Sequence, residues 1–236
     1  MFRISEFRAD DKMINLIAND YRLLQVLSRF GIPLGFNDMT IEEVCNSENV
    51  DCDTFLTIVN FIKSSSDAIL DDSKVDVGKI SVHSLVDYLK QSHGYFLDFC
   101  LPSIRRKLLD AITLRDSDVS FLILKLFDEY VADVESHMKE EEQQLFNKVE
   151  QLVSNPDMSA AQLPFYSKHH EDVGFKLREL KNIIIKYCPP DSKANLLNAA
   201  LYDIYRSEDD LVSHCMIEDR LLLPALKNLM ENNKKD

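Results

Sequence analysis

Four long stretches of helical periodicity, separated by only three turn signals, occupy the sequence from Ser84 onward and favour a helical bundle over any sheet-containing fold. The first runs from about Ser84 to the LRDSD turn at Leu114 to Asp118, and the second ends at the SNP turn, Ser154 to Pro156. The third ends at Cys188 before Pro189-Pro190-Asp191, and the fourth extends from about Ser192 almost to the C-terminus. With 5 Gly and 7 Pro in 236 residues, helix breakers are too few to cut these stretches further. Long helices with short connections pack antiparallel, so the expected class is all-α. A small helical N-terminal domain over residues 1–65 and a linker over 66–83 precede an up-down-up-down four-helix bundle over 84–232.

Within the N-terminal region the periodicity predicts one helix from about Asp11 to Phe30, ended by Gly31 and Pro33. Thr40 and Glu43 in TIEEVC are placed for a capping box, and a third helix is expected over Asp53 to Lys63. The serines and acids of SSSDAILDDSKVDVGKISVHS then interrupt the pattern, which marks the linker.

Charge and cysteine usage narrow the function classes. The net charge is −13, and residues 1–65 are themselves acidic, so no segment offers the positive field that a phosphate backbone requires and no nucleic-acid partner is expected. Neither a signal peptide nor an apolar run of about 18 residues is recognisable, so no membrane association is expected and the cytoplasm is the expected compartment. The five cysteines (Cys45, Cys52, Cys100, Cys188, Cys215) are odd in number and include no CxxC, which points to reduced thiols rather than a disulfide framework or a thiolate metal site.

The chemistry-bearing residues lie in the bundle. His137 and Glu141 form one His-x-x-x-Glu pair, and His214 and Glu218 form another. Residues i and i+4 share a helix face, so an imidazole and a carboxylate at that spacing can address neighbouring metal ions. His93 precedes His137 by 44 residues, and His170 precedes His214 by the same 44. The midpoints of these intervals, and of the interval from His137 to His170, fall on the three turn signals. All four histidines are therefore expected at one level of the bundle, about 33 Å from the first hairpin tip.

Each also falls on the apolar stripe of its own helix. His93 aligns with Leu89 and Cys100, His137 and Glu141 with Val134 and Leu145, His170 with Val173 and Leu177, and His214 and Glu218 with Leu211 and Leu222. Buried carboxylates and imidazoles are costly unless paired or coordinated, and no Lys or Arg lies on these stripes near that level. A dinuclear cation site resolves the conflict, and six nitrogen and oxygen donors without thiolate suit iron, with manganese the alternative. The expected arrangement has Glu141 and Glu218 bridging, two histidines as terminal ligands on each ion, and open positions for water, an oxo bridge, O2 or NO. Which histidines share an ion is left open. His83 and His169 sit among charged neighbours and are expected to face solvent, while Cys100 and Cys215 are expected to pack.

These motifs resemble a known family. HMKEEEQQLF (His137 to Phe146), HEDVGFKL (His170 to Leu177) and HCMIEDRLLLP (His214 to Pro224) are similar to the hemerythrin-type HHE signatures. The segment RFGIPLGFNDMTIEEVC (Arg29 to Cys45) resembles the small helical domain preceding the bundle in the repair-of-iron-centres family, the YtfE/ScdA type. That resemblance implies a non-haem di-iron centre and the repair of iron–sulfur proteins damaged by nitric oxide or oxidants, which would then be partners. Two departures stand out. Gly35-Phe36 replaces the family's adjacent cysteine pair, and the family's first-helix histidine aligns without gaps to Gly94, whereas stripe and spacing select His93. An O2 carrier or a redox sensor relaying through the N-terminal helices is the alternative, and a DNA-binding regulator is disfavoured by charge.

Overall fold

A computed structural model describes residues 6–65, 76–112, 118–154 and 170–232, except for the side chains at 65, 153, 154, 170–175 and 232. The LRDSD and SNP turns (Asp118 and Ser154 excepted), residues 66–75 of the linker, His169 and the side chain of His170 therefore lie outside the described residues. The protein is all-α, a hemerythrin-like helical bundle preceded by short helices. Helices α1 (Met13–Asn19), α2 (Leu23–Arg29), α3 (Ile41–Ser47) and α4 (Cys52–Ser65) come first. The first bundle helix comprises α5 (Val82–Gly94), a π-helical turn π1 (Tyr95–Cys100) and α6 (Leu101–Ala111). The second comprises α7 (Asp118–Glu140), π2 (Glu141–Phe146) and α8 (Asn147–Ser154), and the third is α9 (His170–Tyr187). The fourth comprises α10 (Ala194–Ile217), π3 (Glu218–Leu222) and α11 (Leu223–Asn232). No helix among the described residues is long and apolar enough to cross a membrane.

By internal contacts the chain divides into two compact units. One contains Met1–Ser92, Leu152–Met158 and Met216–Asp236, and the other contains His93–Gln151 and Ser159–Cys215. In the first unit, the single helix expected over Asp11 to Phe30 is instead two. Asp20 adopts an extended backbone (φ −150°, ψ 104°), and its carboxylate accepts the Arg22 backbone N–H at 3.0 Å and the Arg22 guanidinium. An aspartate that satisfies a backbone donor two residues on competes with the helical ladder, and the apolar spacing on either side carries no sign of that competition. The end of α2 follows expectation. Gly31 takes φ +71°, its N–H donates to Ser28 O at 3.0 Å, and the Ile32 N–H donates to Leu27 O at 2.9 Å, the pair of bonds that closes a helix through a left-handed glycine. The Thr40–Glu43 capping box is present in both directions. Phe30 packs on Phe55 and Tyr88 with ring centroids 5.3 and 5.1 Å apart, and Arg29 Nη1 donates to the Tyr88 hydroxyl at 3.3 Å, so the N-terminal helices are anchored directly on α5.

The five cysteines are free thiols, with Cys45 and Cys100 buried. Burial pushes the Cys45 and Cys52 thiols above the ordinary range, which leaves both poor nucleophiles.

In the second unit, α6, α7, α9 and α10 surround an apolar core that includes Ile104, Leu108, Ile123, Phe127, Leu180 and Ile204. Cross-helix ion pairs mark the register of this antiparallel packing. Arg105 of α6 donates to Asp128 of α7 at 2.7 Å, Lys176 of α9 meets Asp133 of α7 at 2.5 Å, and Lys107 of α6 meets Asp203 of α10. From Lys107 back to His93 is fourteen residues and from Asp203 on to His214 is eleven, so the two histidines differ in level by about 4.5 Å, less than one turn. The Asp133–Lys176 pair likewise places the α9 backbone at His170 within about one turn of His137. The pairs themselves, largely exposed, add little stability.

Phe127 is fully buried in this core. Replacing it with alanine is expected to lower the unfolding free energy of the metal-free protein by about 3–5 kcal/mol in urea denaturation. A loss below about 1 kcal/mol would show that the ring is not packed as described.

Candidate metal centre

Several of the polar residues that the bundle buries converge. His93, at the end of α5, is 1% exposed, and its Nε2 lies 3.2 Å from Nε2 of His214 on α10 and 3.4 Å from Oε2 of Glu141 on π2. The other oxygen of Glu141, Oε1, lies 2.9 Å from Nε2 of His137, one helical turn earlier on α7. Glu218 stands one turn beyond His214 on the same continuous helix and is 3% exposed. One donor atom from each of His93, Glu141 and His214 falls within a mutual distance of 4.8 Å, and one donor atom each from His137 and Cys215 lie equally close.

His93 and His214 face one another, and Glu141 lies within reach of histidines on two helices, His93 and His137. His170 heads α9, which packs along α7, and its side chain lies outside the described residues. His83 is exposed, with its Nε2 3.4 Å from Asp87, away from this cluster. Cys215, expected only to pack, stands beside His137. Sequence offered no means of separating these roles, because Cys215 is adjacent to a ligand candidate and on an amphipathic helix either role is open to it.

All three bundle helices with described candidate ligands change winding at this level. π1 begins two residues after His93, π2 begins at Glu141 and π3 begins at Glu218. Each is closed by a bond five residues long, from Leu101 N–H to Phe96 O, Asn147 N–H to Glu142 O and Leu223 N–H to Glu218 O. Single π-turns inside α-helices occur frequently at functional sites. The apolar spacing of the sequence does not reveal them. One such turn holds one residue more than an α-turn, and the same one-residue displacement separates His93 from Gly94.

Aromatic rings enclose the cluster. Phe146 stacks on His93 with centroids 5.4 Å apart and planes 27° apart, and Phe96 meets His214 edge-on at 6.2 Å. Deeper in the core, burial pushes the Tyr130 phenol well above its ordinary range, with Cys100, Glu208 and Cys215 acting in the same direction. Tyr130 is therefore neutral and acts as packing.

The donor set fits a metal. Two donors bonded to one ion at about 2.1 Å stand about 3.0 Å apart at a right angle and about 3.4 Å apart at a tetrahedral angle, which brackets the separations around His93. Imidazole and carboxylate in an enclosed apolar site match the preference of first-row divalent cations, and a hydrophobic core is otherwise a costly place for two glutamates. Residues 84–226 match the hemerythrin HHE cation-binding domain. The chain belongs to that hemerythrin family. Its match spans all six expected ligand positions, His93, His137, Glu141, His170, His214 and Glu218. No curated protein sequence matches the chain significantly.

The contrast between His93 and His83 gives a direct test of the hemerythrin-type site. His93→Ala is expected to reduce bound divalent metal by about one ion per chain, whereas His83→Ala leaves both the metal content and the stability within about 0.5 kcal/mol of wild type. Metal analysis after anaerobic loading, with denaturation of each metal-free variant, decides it, and equal metal content in the two variants would refute the assignment of His93.

Proposed function

We propose that this hemerythrin-family chain is a non-haem di-iron protein of the iron–sulfur repair type, acting under nitrosative or oxidative stress. The observation that carries the metal half is the convergence of His93, Glu141 and His214 inside an apolar core, with Glu218 buried one turn beyond His214 on its helix. His93 and His214 would hold one ion, His137 and His170 the other, and Glu141 and Glu218 would lie between them. When bound, such a pair supplies open positions for O2 or NO and a source of electrons. The chain's own residues supply the rest. The carboxylates neutralise cationic charge in a medium of low dielectric constant, the imidazoles fix the geometry, and Phe96 and Phe146 restrict water. Support for the repair half comes from the N-terminal resemblance, without the cysteine pair.

One observation favours a second reading, an oxygen or redox sensor. Arg29 and Phe30 grip Tyr88, which lies five residues before His93 on α5, so a shift of that helix on ligand exchange would be felt by the N-terminal helices.

Purification under anaerobic conditions is expected to yield about two irons per chain, and fewer than one, unchanged by Glu141→Ala and Glu218→Ala, would end the di-iron reading. Reactivation of a nitric-oxide-damaged iron–sulfur enzyme supports repair. A reversible O2 absorption band without reactivation supports the sensor or carrier instead. Saturating metal at 100-fold its dissociation constant should stabilise the wild type by about 2.7 kcal/mol per site, an increment that calorimetry should find diminished in both glutamate variants.

A further inference from the structure

The run HMKEEE contains one carboxylate more than the His-x-x-x-Glu pair uses. Glu142, on π2, places its Oε1 2.9 Å from Nδ1 of His93, a residue of the first bundle helix. The His93 side chain is 1% exposed and that of Glu142 is 45% exposed. An ionised carboxylate only accepts hydrogen bonds, so a neutral His93 in this contact carries its proton on Nδ1 and donates it to Glu142. Nε2 then keeps its lone pair, and Nε2 is the atom turned toward His214 and Glu141. Consecutive glutamates thus address opposite edges of one imidazole, Glu141 from inside the core and Glu142 from the solvent side.

We propose that Glu142 is a positioning residue for the metal centre, holding His93 in the Nδ1–H tautomer and strengthening Nε2 as a donor to a divalent cation. The inference rests on the metal-binding reading above. Carboxylates that accept the second ring N–H of a metal-bound histidine fix its orientation and raise its basicity, and their loss costs about 10–100-fold in metal affinity. The Glu142 end of the pair is nearly half exposed, so its removal should affect the metal more than the metal-free protein.

Two variants test it. Glu142→Gln keeps an acceptor facing Nδ1, and Glu142→Leu removes it. Nitrogen NMR of the histidine-labelled, metal-free protein, at a pH where the imidazole holds one proton, should place the His93 proton on Nδ1 in wild type and in Glu142→Gln and move it toward Nε2 in Glu142→Leu. Anaerobic titration with Mn(II) should show about 10–100-fold weaker binding of one ion in Glu142→Leu, substantial rescue in Glu142→Gln and unchanged melting of metal-free Glu142→Gln. A wild-type proton on Nε2, or Glu142→Leu with wild-type tautomer and affinity, overturns the role of Glu142 while leaving the metal centre standing. No uptake of Mn(II) or Fe(II) by the wild type overturns the metal centre itself, and the role of Glu142 toward a cation with it.

Discussion

Placing carboxylates and imidazoles in a hydrocarbon interior is the constraint around which this bundle is organised. Glu141 and Glu218 are at most 3% exposed, as are His93 and His214, in a core otherwise built from leucine, isoleucine and phenylalanine. Such groups keep their place only where partners compensate the lost hydration, and the partners come from different helices. His93 reaches across to His214 of α10 and to Glu141 and Glu142 of π2, so the polar cluster ties together segments far apart in sequence. The apolar core supplies the stability that lets the helices hold this arrangement.

Much of this was legible in the sequence because helical periodicity is a one-dimensional signal with a three-dimensional consequence. The scarcity of glycine and proline and the repeated interval of 44 residues implied antiparallel helices with histidines at one level. The ion pairs Lys107–Asp203 and Lys176–Asp133 have the matching register. Inward facing was equally readable for His93, Glu141, His214 and Glu218, which are buried, as are Val134, Leu145, Leu211 and Leu222 on the same stripes. The pairing of His93 with His214 was not readable, because spacing along each helix says nothing about which neighbour a ring will meet across the core.

Other features escaped because they depend on local competition among polar groups. The break at Asp20 arises from one carboxylate capturing a backbone N–H, which leaves the apolar spacing of the flanking helices untouched. Glu142 looked like one more solvated acid in an acidic run, and only the helix across from it identifies its contact. The N-terminal helices kept the predicted stop at Gly31 and the predicted start at the Thr40 capping box, since each of those is encoded by residues within a few positions of one another.

The π-turns alter the phase of each helix they interrupt. A residue before π1 and one after it belong to two different angular registers, and His93 and Ile104, which flank the turn, are both buried. Length at that turn is therefore coupled to direction. Deleting one residue between Tyr95 and Cys100 would shorten the helix by a trivial amount yet swing everything on one side of the turn by about 100° relative to the other, so that either His93 or Ile104 would have to leave the core. In such a helix, the count of residues between two positions carries as much structural information as their identity.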